Sequence, residues 1–125
     1  MPNERKAIRD AITEVLESVL DFPVFSGRSI DGRELTEFVN VYITDGEVFT
    51  EGLGSRTEAS VLISYRTDDE LTDDQLDEKS DPIAEAMESH DFGGVMQGII
   101  PAGFEYLDER ERGYDGISLR YLVIY

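Results

Sequence analysis

Residues 57–66 read TEASVLISYR. Ala59, Val61, Ile63 and Tyr65 alternate with Glu58, Ser60 and Ser64, and only Leu62 breaks the polar side. Successive side chains of a strand point to opposite faces, so this period of two predicts one covered face and one mostly wet face. The cover has to come from elements with an apolar stripe, and the flanking sequence holds them. Within Asn3–Leu20, the residues Ile8, Ile12, Val15, Leu16, Val19 and Leu20 recur at three- and four-residue spacing, while Arg5, Arg9, Asp10, Glu14 and Glu17 take the other side. This is the period of an amphipathic helix, with Asn3 as N-cap and Pro23 just beyond the end. Past the strand, Thr72 and Gln75 match a capping box, and Asp73 and Asp74 suit the positive end of a helix dipole. The helical pattern runs to Ser89 with Pro82 inside it. The preferred reading is a short helix ending near Ser80 and a second one with Pro82 in its first turn, capped by Ser80 or Asp81, burying Ile83, Ala86 and Met87.

Other strands follow from composition. Glu37–Thr44, EFVNVYIT, is rich in β-branched and aromatic residues. Asp45-Gly46 reads as a hairpin turn and Glu47–Thr50 as its return strand, so Asp45–Arg56 is expected to project as a hairpin or loop. Phe22–Arg28 is a short edge-strand candidate, Ser29–Glu34 a loop, and Phe92–Ile100 an added helical turn before Pro101. Gly103–Asp108 and Ile117–Tyr125 are strands flanking a charged loop at Glu109–Gly116. A chain ending ISLRYLVIY is expected to pair its C-terminus in the sheet. The sum is one α+β domain over residues 1–125, a mostly antiparallel or mixed sheet with helices on one face. The half-apolar second face is the kind another subunit completes.

Charge narrows the function classes. The chain has 28 acidic residues against 11 Lys and Arg, a formal net charge of −17. General binding to a nucleic-acid backbone needs a cationic surface, and so does attraction to an anionic membrane. The acid excess fits solubility by self-repulsion, a salty habitat, or a surface that DNA slides past, and composition leaves the three open. With no cysteine, disulfides and thiolate metal sites are excluded. Polar Met1–Arg9 has no apolar core of a secretory leader, and no apolar run approaches the ~20 residues of a membrane span. The single histidine, His90, suits a helix end better than a catalytic role. No serine elbow, HExxH or phosphate-loop motif occurs, so no enzyme is expected and no cofactor is required. The acidic run Asp68–Glu78 lacks the pattern of a calcium loop and reads as a solvated loop and helix start; its functional reading is a weak Mg²⁺ or Ca²⁺ contact at a subunit boundary. Tyr106, Tyr114, Tyr121 and Tyr125 are interface candidates because amphipathic rings are favoured there.

Taken in order, these phrases resemble a known family. RKAIRDAITEVLESVL, VFSGR, EFVNVYITDGE, TEASVLISYR, LTDDQLDE and GFEYLDERERGYDGISLRYLVIY follow one another as in the tail terminators of lambda-like siphophages, the minor tail protein U family. The resemblance covers nearly the whole chain. It implies a small α/β fold and a homohexameric ring that stops polymerisation of the tail tube and offers the head-joining surface. Its implied partners are further copies of itself, the major tail tube protein and a head–tail connector or neck protein, with DNA passing through the pore without specific binding. Its implied location is the virion at the tail–head junction, after assembly in the host cytoplasm. It also implies assembly that responds to divalent cations such as Mg²⁺, with Asp73 in the position of the family's acidic residue at the start of the second helix. The expected interface residues are Asp45, Gly46, Phe49, Asp73, Tyr114 and Tyr121. Heavier acidity and the Gly93-Gly94 pair depart from the family pattern.

Two other classes compete. A neck or head-completion connector shares the size and the ring but would meet the portal side. An acidic DNA mimic has the charge density, yet it needs carboxylates laid out along one face, and here they cluster in loops and helix starts.

Overall fold

The apolar side of residues 57–66 is covered by two helices. A computed structural model describes residues 4–27, 36–89, 92–109, 111 and 113–125. The order is α1 (Glu4–Val19), β1 (Val24–Ser26), β2 (Glu37–Glu51), β3 (Gly54–Thr67), α2 (Asp73–Ser89), β4 (Gly98–Glu109) and β5 (Tyr114–Ile124). The five strands form one sheet in the order β1-β2-β3-β5-β4. β1 pairs parallel to β2 and all other pairs are antiparallel. The chain is therefore α+β with a mixed sheet, as its patterning predicts.

Ala59, Val61, Ile63 and Tyr65 are buried, together with Val39 and Val41 of β2 and Ile117, Tyr121 and Val123 of β5. Ile8, Ile12 and Leu16 of α1 and Leu76, Ile83, Ala86 and Met87 of α2 close this side. α1 lies over β1 and β2, and α2 over β5. The capping box is made: the Thr72 amide donates to Gln75 Oε1 at 2.9 Å and the Gln75 amide to Thr72 Oγ1 at 3.2 Å. The last residues are paired as expected, with Thr57 and Tyr125 exchanging backbone hydrogen bonds of 2.7 and 2.9 Å.

Three local signals are overruled. Asp45-Gly46 is not a turn. β2 runs straight through it, with one extra residue at Thr44, because Ile43 pairs with Val61 and Asp45 with Ser60. This bulge inverts the alternation, so Gly46 rather than Asp45 lies on the helix side, opposite Ala59. A Cβ at Gly46 would lie 3.0 Å from the Glu58 carbonyl oxygen, so the glycine serves close strand approach. The hairpin reverses at Gly52-Leu53 instead. Gly52 takes φ +60° and Leu53 does not take positive φ, the requirement of a type II′ turn.

The second reversal concerns Pro82, which sits inside one continuous α2. Its exposed position forfeits one backbone hydrogen bond, while the stripe Leu76, Ser80, Ile83, Met87 continues across it and packs on the sheet. Packing of the whole stripe outweighs a local penalty of ~3 kcal/mol. Third, residues 98–100 open β4 and form no helical turn. Pro101 is tolerated because β4 is an edge strand. The charged loop before β5 is also shorter than expected, since Glu109 and Tyr114–Gly116 are paired in the sheet. Asn3, His90 and the Ser29–Glu34 loop lie outside the described residues.

Candidate assembly surfaces

Among the described residues no helix lies on the far face of the sheet, yet its centre is not wet. Asn40, Ser64 and Ser118 are buried in one cross-strand row. Ser64 was expected on the solvated side. It shares a 2.9 Å hydrogen bond with Ser118. The Arg66 guanidinium donates to Asn40 Oδ1, and its Nε lies 2.7 Å from Glu109 Oε1. Phe38 is buried on this face, with Tyr114 edge-on at 5.5 Å between ring centroids. Tyr114 is thus half-buried, while Tyr121 is 4 % exposed and belongs to the core under the helices.

The β2–β3 hairpin outruns the rest of the sheet, because the last β3–β5 pair is Glu58 with Ile124. Beyond it only two strands continue. Asp45 and Gly46 are exposed at the root of this arm, Val48 is 69 % exposed, and Leu53 stands fully out at the tip. Phe49 is half-buried under the guanidinium of Arg56, 5.1 Å from its ring centroid.

A second surface lies along the β4 edge. Ile100, Phe104 and Tyr106 are 50, 65 and 39 % exposed, and the rings of Phe104 and Tyr106 meet edge-to-face at 5.6 Å. The Tyr106 hydroxyl donates to Asp77 Oδ1 of α2 at 2.7 Å. That bond, then desolvation, then the charges of Asp77, Asp73 and Asp74 push the Tyr106 hydroxyl up to about 12. Asp73 therefore stands, exposed, beside an aromatic edge. Among the described residues no three His, Asp or Glu side chains are grouped to hold a metal ion. Asp73 by itself offers one carboxylate.

A third feature lies at the opposite side of the sheet. Where β1 stops and β2 continues, a cleft of ≈ 460 Å³ opens between α1 and the sheet. Lys6, Arg9 and Asp10 of α1, Ser26 and Gly27, and Tyr42 and Ile43 line it. The projecting hairpin was legible in the sequence; this cleft and the exposure of Phe104 were not. The available signal was the β4 sequence itself, which puts apolar residues on a strand with charged neighbours on both sides of its turn. Among the described residues, no helix is long and apolar enough to cross a membrane.

Comparison with known proteins says what kind of protein carries these exposed surfaces. A family model described as phage minor tail protein U matches residues 3–125. The chain belongs to the phage minor tail protein U family. It is a minor tail protein, a structural component of phage tails, and so a virion protein. A chain of a native gene transfer agent virion shares the fold with TM-score 0.54 at 12 % identity, over 97 % of this chain and 90 % of that one. The sheath/tube terminator of an extracellular contractile injection system, in its extended state, gives TM-score 0.52 at 11 % identity, over 96 % of this chain and 56 % of that one. No curated protein matches the chain. The two structural likenesses speak for the fold; the family rests on the sequence match.

Proposed function

We propose that this minor tail protein U forms a homohexameric ring on the head-proximal end of the tail tube, halts tube growth and presents the surface to which the head joins. The observation that carries this reading is the family match over residues 3–125. The fold shared with a sheath/tube terminator supports it. So does the placement of exposed apolar side chains on an arm and on a sheet edge, since contiguous exposed apolar surface marks contact sites. The partners are then further copies of the chain, the tail tube protein and a head–tail connector, met in the host cytoplasm during assembly. The net charge of −17 gives DNA an unattractive surface to pass, because like charges repel and no counterions are released.

Negative-stain microscopy of the purified protein with growing tail tubes tests the ring. Six-fold rings with a pore as wide as duplex DNA, and tubes that stop lengthening once a ring is seated, are the expected result. Tubes that lengthen at an unchanged rate in the presence of the protein exclude a terminator.

Mg²⁺ enters the proposal as a bridge between neighbours. Among the described residues no three acidic side chains are grouped to hold a metal, so the ligands beyond Asp73 come from a second subunit or water. Asp73→Ala is expected to weaken Mg²⁺-driven association in sedimentation velocity without unfolding the chain, as far-UV circular dichroism would show. Association that ignores Mg²⁺ in the unmodified protein removes the cation from the reading.

A further inference from the structure

The charge of the subunit is distributed unevenly from one side of the sheet to the other. α1, over the β1–β2 side, carries three bases (Arg5, Lys6, Arg9) against four acids. α2, over β5 beside the β4 edge, carries one base, Lys79, against seven acids. The less acidic side has the cleft, whose lining holds two bases, Lys6 and Arg9, and one acid, Asp10, to which Lys6 is paired. The acidic side has the exposed pair Phe104 and Tyr106, with Asp77 hydrogen-bonded to the latter. The two lie at opposite ends of the strand order β1-β2-β3-β5-β4. Two different, complementary surfaces on opposite sides of one subunit are what a head-to-tail ring needs, whereas a two-fold contact needs one surface that complements itself.

We infer that the β4 edge of one copy docks into the α1–β1–β2 cleft of the next, with Phe104 as the apolar anchor and the acidic start of α2 facing Lys6 and Arg9. This assigns the two halves of the contact and rests on the ring reading given above. The chemistry agrees on both sides. An aromatic ring beside a Tyr hydroxyl is the side-chain type enriched at the centre of interfaces, and a guanidinium is its usual partner. The cleft has the size of a small binding pocket, and Ile43 of β2 with Lys6 and Arg9 of α1 in its lining sets an apolar side chain beside two cations for an incoming ring. The opposed charges orient the approach of a subunit that otherwise repels its copies.

The test uses two full-length variants and their mixture. Lys6→Glu with Arg9→Glu damages the cleft, and Phe104→Asp damages the edge. Phe104 is 65 % exposed and Arg9 half-buried, and far-UV circular dichroism with urea unfolding checks that both variants fold. Each variant alone is expected to need about tenfold or more protein to form rings, the scale of losing an anchor residue. Mixed in equal amounts, they are expected to give a heterodimer and nothing larger, because one intact edge meets one intact cleft and both outer surfaces are spoiled. Rings formed by both variants as readily as by the unaltered chain overturn the docking and leave the terminator reading standing. Folded variants that lose rings but stay monomeric when mixed overturn the pairing of these two surfaces. An unaltered chain that stays monomeric at millimolar concentration, with Mg²⁺ and with tail tubes, sinks the ring and the docking together.

Discussion

Gly116→Ala is expected to remove a large share of the stability of the fold. Gly116 is buried in β5, an interior strand, directly opposite Arg66 of β3 and one pair from the end of their ladder. A Cβ there would lie 2.1 Å from the carbonyl oxygen of Tyr65 and 3.3 Å from the Cα of Arg66. Both atoms are backbone, so no rotamer change relieves the clash. β5 has to move off β3, and the pair Tyr65–Ile117 in the core moves with it. Overpacking against side chains costs about 1–3 kcal/mol, and a backbone clash between central strands belongs at or above the upper end. That is a large share of the roughly 5–15 kcal/mol by which a domain is stable. Urea unfolding reads the effect as a fall in midpoint, or as no folded baseline at all. Gly98→Ala is the control, since the nearest atom to its new methyl is a flexible Ile124 Cδ1 at 3.6 Å, and its change is expected within about 0.5 kcal/mol. A Gly116→Ala protein as stable as the Gly98→Ala protein would contradict the strand pairing described above.

Tyr65→Ala is the second large loss. Tyr65 is the largest fully buried side chain, and its ring packs on Phe22 at 5.4 Å. Its hydroxyl donates to Glu37 Oε2, to which Lys79 Nζ also comes within 3.1 Å. Truncating a buried aromatic side chain to alanine costs about 3–5 kcal/mol. Tyr65→Phe keeps the ring and leaves Glu37 with Lys79, so it is expected to cost about 1 kcal/mol.

The same pair carries a pH signature. Burial, then the hydrogen bond to Glu37 and its charge, raises the Tyr65 hydroxyl above the ordinary 10.0. The folded state therefore holds this proton more tightly than the unfolded chain does. The stability it contributes is complete below the unfolded value and is lost as pH rises through and beyond it. The gap in unfolding free energy between the unaltered chain and Tyr65→Phe should hold up to about pH 9 and narrow as pH rises above about 10. Tyr121, raised by burial and then by Glu88, and Tyr106 are present in both proteins and cancel in the difference. A gap that stays constant over this range shows that the proton on Tyr65 is held no more tightly after folding.

Much of this molecule is legible before folding. The alternation of Thr57–Arg66, the stripe of α1 and the box between Thr72 and Gln75 each rest on spacing within one segment, and each appears in the structure where expected. The family could also be reached that way, because an ordered series of such segments is itself a sequence property. The signals that failed were equally local. Asp45-Gly46 has turn chemistry, but the partner strand continues beyond it and β2 stays paired through a bulge. Pro82 is a helix breaker, but the apolar stripe on either side is held by one sheet.

Of the expected interface residues, Asp45, Gly46 and Asp73 are exposed, Phe49 and Tyr114 are half-buried, and Tyr121 is in the core. Periodicity could say that Tyr121 and Ser64 face opposite ways. It could not say that β5 lies inside the sheet and β4 at its edge, which is what buries Tyr121 and leaves Phe104 out. What the sequence by itself determined was the elements, the family and the charge. Which apolar side chains remain for a partner was decided by strand order and helix placement. Burial depends on contacts between distant segments, and no spacing within one segment records them.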